Sequence, residues 1–341
     1  MPVIAESPVA APDPTVPAAA DPTTVILMWV RHMRRTHMKF AARLMVVFAV
    51  WTLFSNLFLS TVEFSYRSLL LPLLYLAAVA WLWSPLGVKP WENLPTDELQ
   101  ARPWRPVGAR VLRGRRKMAV IEVLIGGEQV ALDVRIDPAH LAMVTDAVWL
   151  VPVEGPWFMV RVPGSRELFS ARRGKVVPVA EPAAVPVTER WARVLRDQLT
   201  SIAAQSAFGA CLAAATGFVV FGFQVAAAAS LAVVVIFLPA LALGLRHRLP
   251  DFRLPTLVRA ADWTRADAVL SPWRSRRDGT AAVTATLTLP DGTTRTATIP
   301  AATVDLLGAV FESSTLWVGG HTGRVAVGFP GYPHVAYADL S

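Results

Sequence analysis

AARLMVVFAVWTLFSNLFLS, residues 41–60, and LLLPLLYLAAVAWLWSPLGV, residues 69–88, are the stretches on which the reading of this chain turns. Apart from Arg43, neither carries a side chain that is charged at neutral pH. Each has about the 20 apolar residues that a helix needs to cross a hydrocarbon core. The pattern returns at residues 201–220 and 226–245. The expected fold is therefore an α+β integral membrane protein with four transmembrane helices in two hairpins.

Composition points the same way. Of 341 residues, 54% are hydrophobic and 17% charged, with a mean hydropathy of +0.43. Ordinary soluble domains carry about a quarter charged residues, so some apolar surface here is expected to be covered by lipid. The net charge of +8 comes almost wholly from arginine, lysine standing only at Lys39, Lys89, Lys117 and Lys175. Such basic charge favours an anionic neighbour, phospholipid headgroups or nucleic acid. Cys211 is the one cysteine, which excludes an intrachain disulfide or a thiolate metal cluster.

Residues 1–24 hold prolines at 2, 8, 12, 14, 17 and 22 and no Lys or Arg, the composition of a disordered tail rather than a secretory signal. Residues 25–40 join Val25-Ile-Leu-Met-Trp29 to Arg31, Arg34, Arg35 and Lys39, either an interfacial helix or a topogenic cluster. Cations flank each hairpin on its outer sides: Arg31, Arg34, Arg35 and Lys39 before the first, Lys89, Arg102 and Arg105 after it, with Arg190, Arg193, Arg196 and Arg246, Arg248, Arg253 around the second. By the positive-inside rule both termini face the cytoplasm, and the expected location is the inner cell membrane, multi-pass.

The chain also repeats itself. Residues 90–96 align without gaps on 250–256, and the match continues through Trp104 and Trp263, Val111-Leu112 and Val269-Leu270, Arg115-Arg116 and Arg276-Arg277, Trp149 and Trp317, and Pro163-Gly164 and Pro330-Gly331. Trp29-x-Arg31-x-x-Arg34 faces Trp191-x-Arg193-x-x-Arg196 in the same way. The organisation expected is a tandem duplication: hairpin 1 within 25–88, a cytoplasmic β domain at 89–170, a Pro-rich linker at 171–187, hairpin 2 within 188–245, and a second β domain at 246–341. Within 188–199, Trp191, Val194, Leu195 and Leu199 share one helical face, suited to the headgroup boundary or to extending the third span.

Each β domain reads as a small barrel of about five strands, OB-like or SH3-like. Val130, Leu132, Val134 and Ile136 alternate with Gln129, Ala131, Asp133 and Arg135 after a Gly126-Gly127 turn. Val283, Ala285, Leu287 and Leu289 alternate with threonines before Pro290-Asp291-Gly292. Asp137-Pro138 is an N-cap followed by proline at the first helical position, placing a short helix at 140–144.

Candidate chemistry is sparse. His32, His37, His140, His247, His321 and His334 show no metal-ligand spacing, and no cofactor motif or catalytic constellation stands out. Asp133 and Asp137 form a possible carboxylate pair, more simply a strand position and a helix cap. Gly209, Ala213 and Gly217 form a small-residue ridge for helix packing. The exposed features of interest are the basic loops Arg113, Arg115, Arg116, Lys117 and Arg274, Arg276, Arg277, placed to contact anionic lipid or nucleic acid or to stand solvated. The function expected is a non-enzymatic membrane protein presenting tandem β domains as a docking or regulatory surface. Its partners are membrane lipid and another protein or a second copy. A pore or transport-complex subunit, and recruitment of nucleic acid, are the alternatives.

Overall fold

The computed structural model describes residues 5–20, 96–115, 118–153, 155–179, 185–201, 203–204, 238–276 and 278–341. The chain divides into two compact units, and the one comprising Met1–Arg31, Leu94–Leu199 and Arg248–Ser341 contains two closed, antiparallel six-stranded barrels. The first is built from β1 (Arg105–Gly114), β2 (Ala119–Ile125), β3 (Glu128–Val134), β4 (Ala147–Pro152), β5 (Trp157–Arg161) and β6 (Leu168–Arg173). The second uses β7 (Trp263–Leu270), β8 (Thr280–Thr288), β9 (Thr294–Thr303), β10 (Thr315–Gly319), β11 (Gly323–Phe329) and β12 (His334–Leu340).

The strand orders are β1-β2-β3-β6-β5-β4 and β7-β8-β9-β12-β11-β10, each closed by pairing of its first and fourth strands. They are one topology used twice. Each barrel is entered through a short helix, α1 (Thr96–Ala101) or α5 (Leu254–Arg259), and each carries a second helix between its third and fourth strands, α2 (Pro138–Leu141) or α6 (Val304–Ser313). The duplication expected from the landmarks is thus present in the fold. Trp149 and Trp317 both lie on the fourth strand, and Gly164 and Gly331 both take positive φ, 72° and 90°, in the turn between fifth and sixth strands.

Local chemistry explains the elements. The Gly126-Gly127 turn has φ of 60° and 89°, the conformation that joins twisted strands by two residues at no steric cost. Asp137 caps α2 by accepting from the Ala139 and His140 amides, with Pro138 following as expected, and Thr303 caps α6 through the Leu306 amide. Inward residues of alternating strands fill the cores: Ile121, Val123, Leu132, Val134, Leu150 and Val160 in the first barrel, and Val283, Leu287, Ile299, Leu316, Val325 and Val327 in the second.

Several expectations are corrected. The domains have six strands, not five, because Leu168–Arg173 and His334–Leu340 each complete a barrel. The four-helix membrane architecture, and with it the multi-pass inner-membrane location, does not stand: among the described residues no helix is long and apolar enough to cross a membrane. Of the span expected at 226–245, only residues 238–245 are described, and they form the helix α4, Leu238–Leu245. The expected spans at 41–60 and 69–88, and that at 201–220 except residues 201, 203 and 204, lie outside the described residues. Two apolar clusters lie beside the barrels.

One such cluster corrects the tail. Within residues 5–20 three points dock on the barrels: Ala5 and Val9 join the core of the second, and Ala18 sits with Leu99, Trp104, Val151, Met159 and Leu168 of the first. The Ala5 amide donates to the Pro330 carbonyl and the Ala18 amide to that of Arg102, both at 2.9 Å. The other cluster concerns the helix α3 (residues 187–201). Its apolar face, expected at a headgroup boundary, covers protein: Trp191, Ala192 and Leu195 pack with Ala139 of the first barrel and with Leu254, Val258, Ala326, Val335 and Tyr337 of the second.

Leu132 is fully buried at the centre of the first barrel. Leu132→Ala is expected to cost about 2–5 kcal/mol, measured by urea unfolding. A cost near zero would show that this core is not packed as described.

Candidate functional site

Among the described residues, buried polar groups concentrate where the two barrels meet. The first barrel contributes α2 and the turn between β5 and β6, bearing Asp137, His140, Ser165 and Arg166. The second contributes α6 and the start of β12, with Asp305, Glu312 and His334. Ser165 is 0%, His334 1% and His140 2% exposed.

Gly164 brings the turn close. At its φ of 72° a side chain would be strained, and a β-carbon there would lie 2.5 Å from the Tyr332 ring of the second barrel. Ser165, the next residue, is thereby delivered into the interface. His140 Nδ1 is 2.6 Å from Asp137 Oδ2 and its Nε2 3.1 Å from Ser165 Oγ. The Ser165 hydroxyl donates to Asp305 Oδ2 at 2.9 Å and accepts from the Glu167 amide at 3.1 Å. The Arg166 amide donates to the same Asp305 oxygen at 3.3 Å, while the Arg166 side chain pairs with Glu312 and stands 3.8 Å from Asp305 Oδ1. Arg161 Nε donates to the Ser165 carbonyl at 2.9 Å. From the second barrel, His334 Nε2 donates to the Gly164 carbonyl at 2.7 Å.

Counting donors gives a placement of the protons that satisfies every partner of Ser165. A hydroxyl offers one hydrogen and two acceptor positions. The Ser165 hydrogen goes to Asp305, so both remaining positions accept, one from the Glu167 amide and one from His140 Nε2–H. Because His140 Nδ1 also faces a carboxylate, the arrangement is fully satisfied when both ring nitrogens carry hydrogen. Burial opposes that charge, yet the charge and hydrogen bond of Asp137, with Glu167 and Asp305 behind, hold His140 above its usual range. Burial would likewise raise Asp137 and Asp305. His140 and the α2 amides hold the first low, and His334, Arg166 and Ser165 the second. His334 goes the other way, because burial, aided by the charges of His140 and Arg166, outweighs Asp305 and the Gly164 carbonyl.

Asp137, His140 and Ser165 resemble a nucleophilic triad in distances alone. In such a triad the serine gives its proton to an imidazole lone pair. Here the imidazole donates, the serine proton belongs to Asp305, and the hydroxyl has no exposed surface. The row is a structural bridge between the barrels. Among the described residues no group of three His, Cys, Asp or Glu side chains is placed to hold a metal ion.

The residues singled out from sequence lie elsewhere. Arg113 and Arg115 are exposed at the β1–β2 connection, and Arg274 is exposed at the equivalent β7–β8 connection. Arg276 is half-buried and donates to the Pro300 carbonyl at 2.7 Å, so it is held by its own barrel. Arg116, Lys117 and Arg277 lie outside the described residues, as do Gly209, Ala213 and Gly217. Asp133 is opposite Arg172 across the β3–β6 pair, while Asp137 caps its helix. His140, Ser165, Arg166, Asp305, Glu312 and His334 were not found as a group, because the contacts that join them across the chain span 25 to 170 residues. No family model, no characterised protein and no solved structure matches the chain.

The two histidines give stability opposite dependences on pH. His140 lies above the ordinary imidazole value when folded, so its contribution is complete below about pH 6.5 and lost as pH rises through the folded value. His334 lies below it, so its contribution is present above about pH 6.5 and lost as pH falls toward the folded value. Urea midpoints measured across pH should peak near 6.5. His140→Gln should flatten the alkaline limb and His334→Gln the acid limb; a monotonic profile would contradict these assignments.

Proposed function

We propose that the protein is a non-enzymatic docking module in which two fixed barrels present basic loops to an anionic protein partner. The observation that carries this reading is the recurrence of arginine-rich loops at the same connection of two barrels that are bridged to one another. The bridge keeps the loops from moving independently, and two contacts on one body raise the effective concentration of the second once the first is made.

The barrels are not equal partners in this reading. Residues 105–173 contain eleven Arg or Lys against seven Asp or Glu, whereas residues 263–340 contain six of each. Arg113 and Arg115 are exposed, and Arg276 is committed to a backbone carbonyl. The first barrel is therefore the main contact and the second a minor one. The pore and transport readings depended on membrane spans and are not carried forward.

Poly-glutamate and duplex DNA serve as defined probes of the two anionic chemistries. Poly-glutamate should bind in a salt-dependent way, and Arg113→Glu with Arg115→Glu should weaken it about fivefold to tenfold, as expected for two exposed charges worth up to about 1 kcal/mol each. Arg274→Glu should have a smaller effect. Indifference to all three arginines, or displacement of poly-glutamate by much tighter DNA binding, would overturn the reading, the latter in favour of a nucleic-acid partner.

A further inference from the structure

Asp305 is a single carboxylate placed between two barrels. Its Oδ2 accepts from Ser165 Oγ and the Arg166 amide, both of the first barrel, at 2.9 and 3.3 Å. The same oxygen lies 3.7 Å from Nδ1 of His334, on its own barrel. Neither that Nδ1 nor Asp305 Oδ1 has a hydrogen-bond partner, and both are buried. Since Nε2 donates to the Gly164 carbonyl, Nδ1 of a neutral ring presents a lone pair toward a carboxylate. Two acceptors face one another with no proton between them, an arrangement that costs free energy in a dry site.

We propose that His334 is a proton-operated latch between the barrels: a proton taken from solvent onto Nδ1 draws Asp305 toward its own barrel and away from Ser165 and Arg166. The new N–H bond turns the repulsive contact into a hydrogen-bonded ion pair within the second barrel. The Ser165 hydroxyl then has no acceptor in a water-free site, and water must enter to satisfy it, which parts the interface.

The surroundings of His334 favour this outcome. The charges that act on it come from His140 on α2, Arg166 of the β5–β6 turn and Asp305 of α6. Tyr332, in the turn leading to β12, stacks on the ring at 6.5 Å and 9°. A charged His334 adds a cation where His140 and Arg166 already stand, and among the described residues Asp305 is the carboxylate that pairs with its ring. This proposal concerns the interface itself and holds whether or not the basic loops dock a partner.

The test uses the full chain with Cys211→Ser and spin labels on Gln129→Cys and Thr294→Cys, exposed positions on the first and second barrels. Inter-barrel distances are measured at about pH 7.5 and then stepwise down to about pH 4, well below the ordinary imidazole value, because burial holds His334 under it. A single narrow distance at the higher pH should be lost at the lower, with the strand signal in circular dichroism unchanged. His334→Gln keeps a donor for the Gly164 carbonyl but takes up no proton, and should retain the narrow distance at both. An unchanged distance in the parent, a change that persists in His334→Gln, or loss of strand signal over the same range would each overturn the proposal.

Discussion

The Ser165 hydroxyl ties the two barrels together, and the arrangement of the whole described unit follows from how it is satisfied. It receives hydrogen from the imidazole of α2 and from a neighbouring amide, and gives its own to a carboxylate on α6 of the other barrel. No bonding capacity is left over. In so dry a position a missing partner costs about 1–3 kcal/mol, so a small displacement of one barrel against the other is resisted far more strongly than apolar contact alone would manage. The price of this specificity is that His140, Arg166 and Asp305 must all be kept from water together, and each needs the others to remain there.

Duplication built the interface and divergence made it polar. Corresponding elements meet: the helix between third and fourth strands, and the turn between fifth and sixth. The residues in corresponding places differ. Asp305, third in the series Thr303-Val304-Asp305, corresponds to Ala139 in Asp137-Pro138-Ala139; Ser165 and Glu167, counted from Pro163-Gly164, correspond to Tyr332 and His334, counted from Pro330-Gly331. The carboxylate therefore comes from one copy and the serine from the other, and the bridge needs both. The outer surfaces show the same divergence. In the first barrel Ala18 of the N-terminal segment packs beside α1, whereas in the second Trp191 and Leu195 of α3 pack beside α5.

The parts of this fold with local causes were legible in the sequence. The Gly126-Gly127 hairpin, the Asp137 cap, the alternation along β3 and β8, and the landmarks that align the copies all depend on neighbours a few residues away. The final strands were not legible, because alternation requires one wet face. Four consecutive residues of Leu168–Ala171 and five of His334–Ala338 are buried, so no period of two appears. Arg172 and Arg173 further disguised β6 as the start of a linker. Proline content suggested disorder for residues 5–20, but a segment already restricted by proline loses little freedom on docking. Apolarity itself says what avoids water and not what covers it, which is where the headgroup-boundary reading of α3 went astray. The polar bridge had no sequence signal, since it exists only after two distant domains have met.

The bridge between the barrels depends on the direction of the hydrogen bonds along Asp137, His140, Ser165 and Asp305. The ring-nitrogen chemical shifts of His140, recorded by NMR at neutral pH on the intact protein, report that direction. Two protonated nitrogens, the imidazolium state, are the result this account predicts. A neutral ring with a lone pair on Nε2 would mean that Ser165 gives its hydrogen to His140 and leaves Asp305 unbridged, and the account would be wrong.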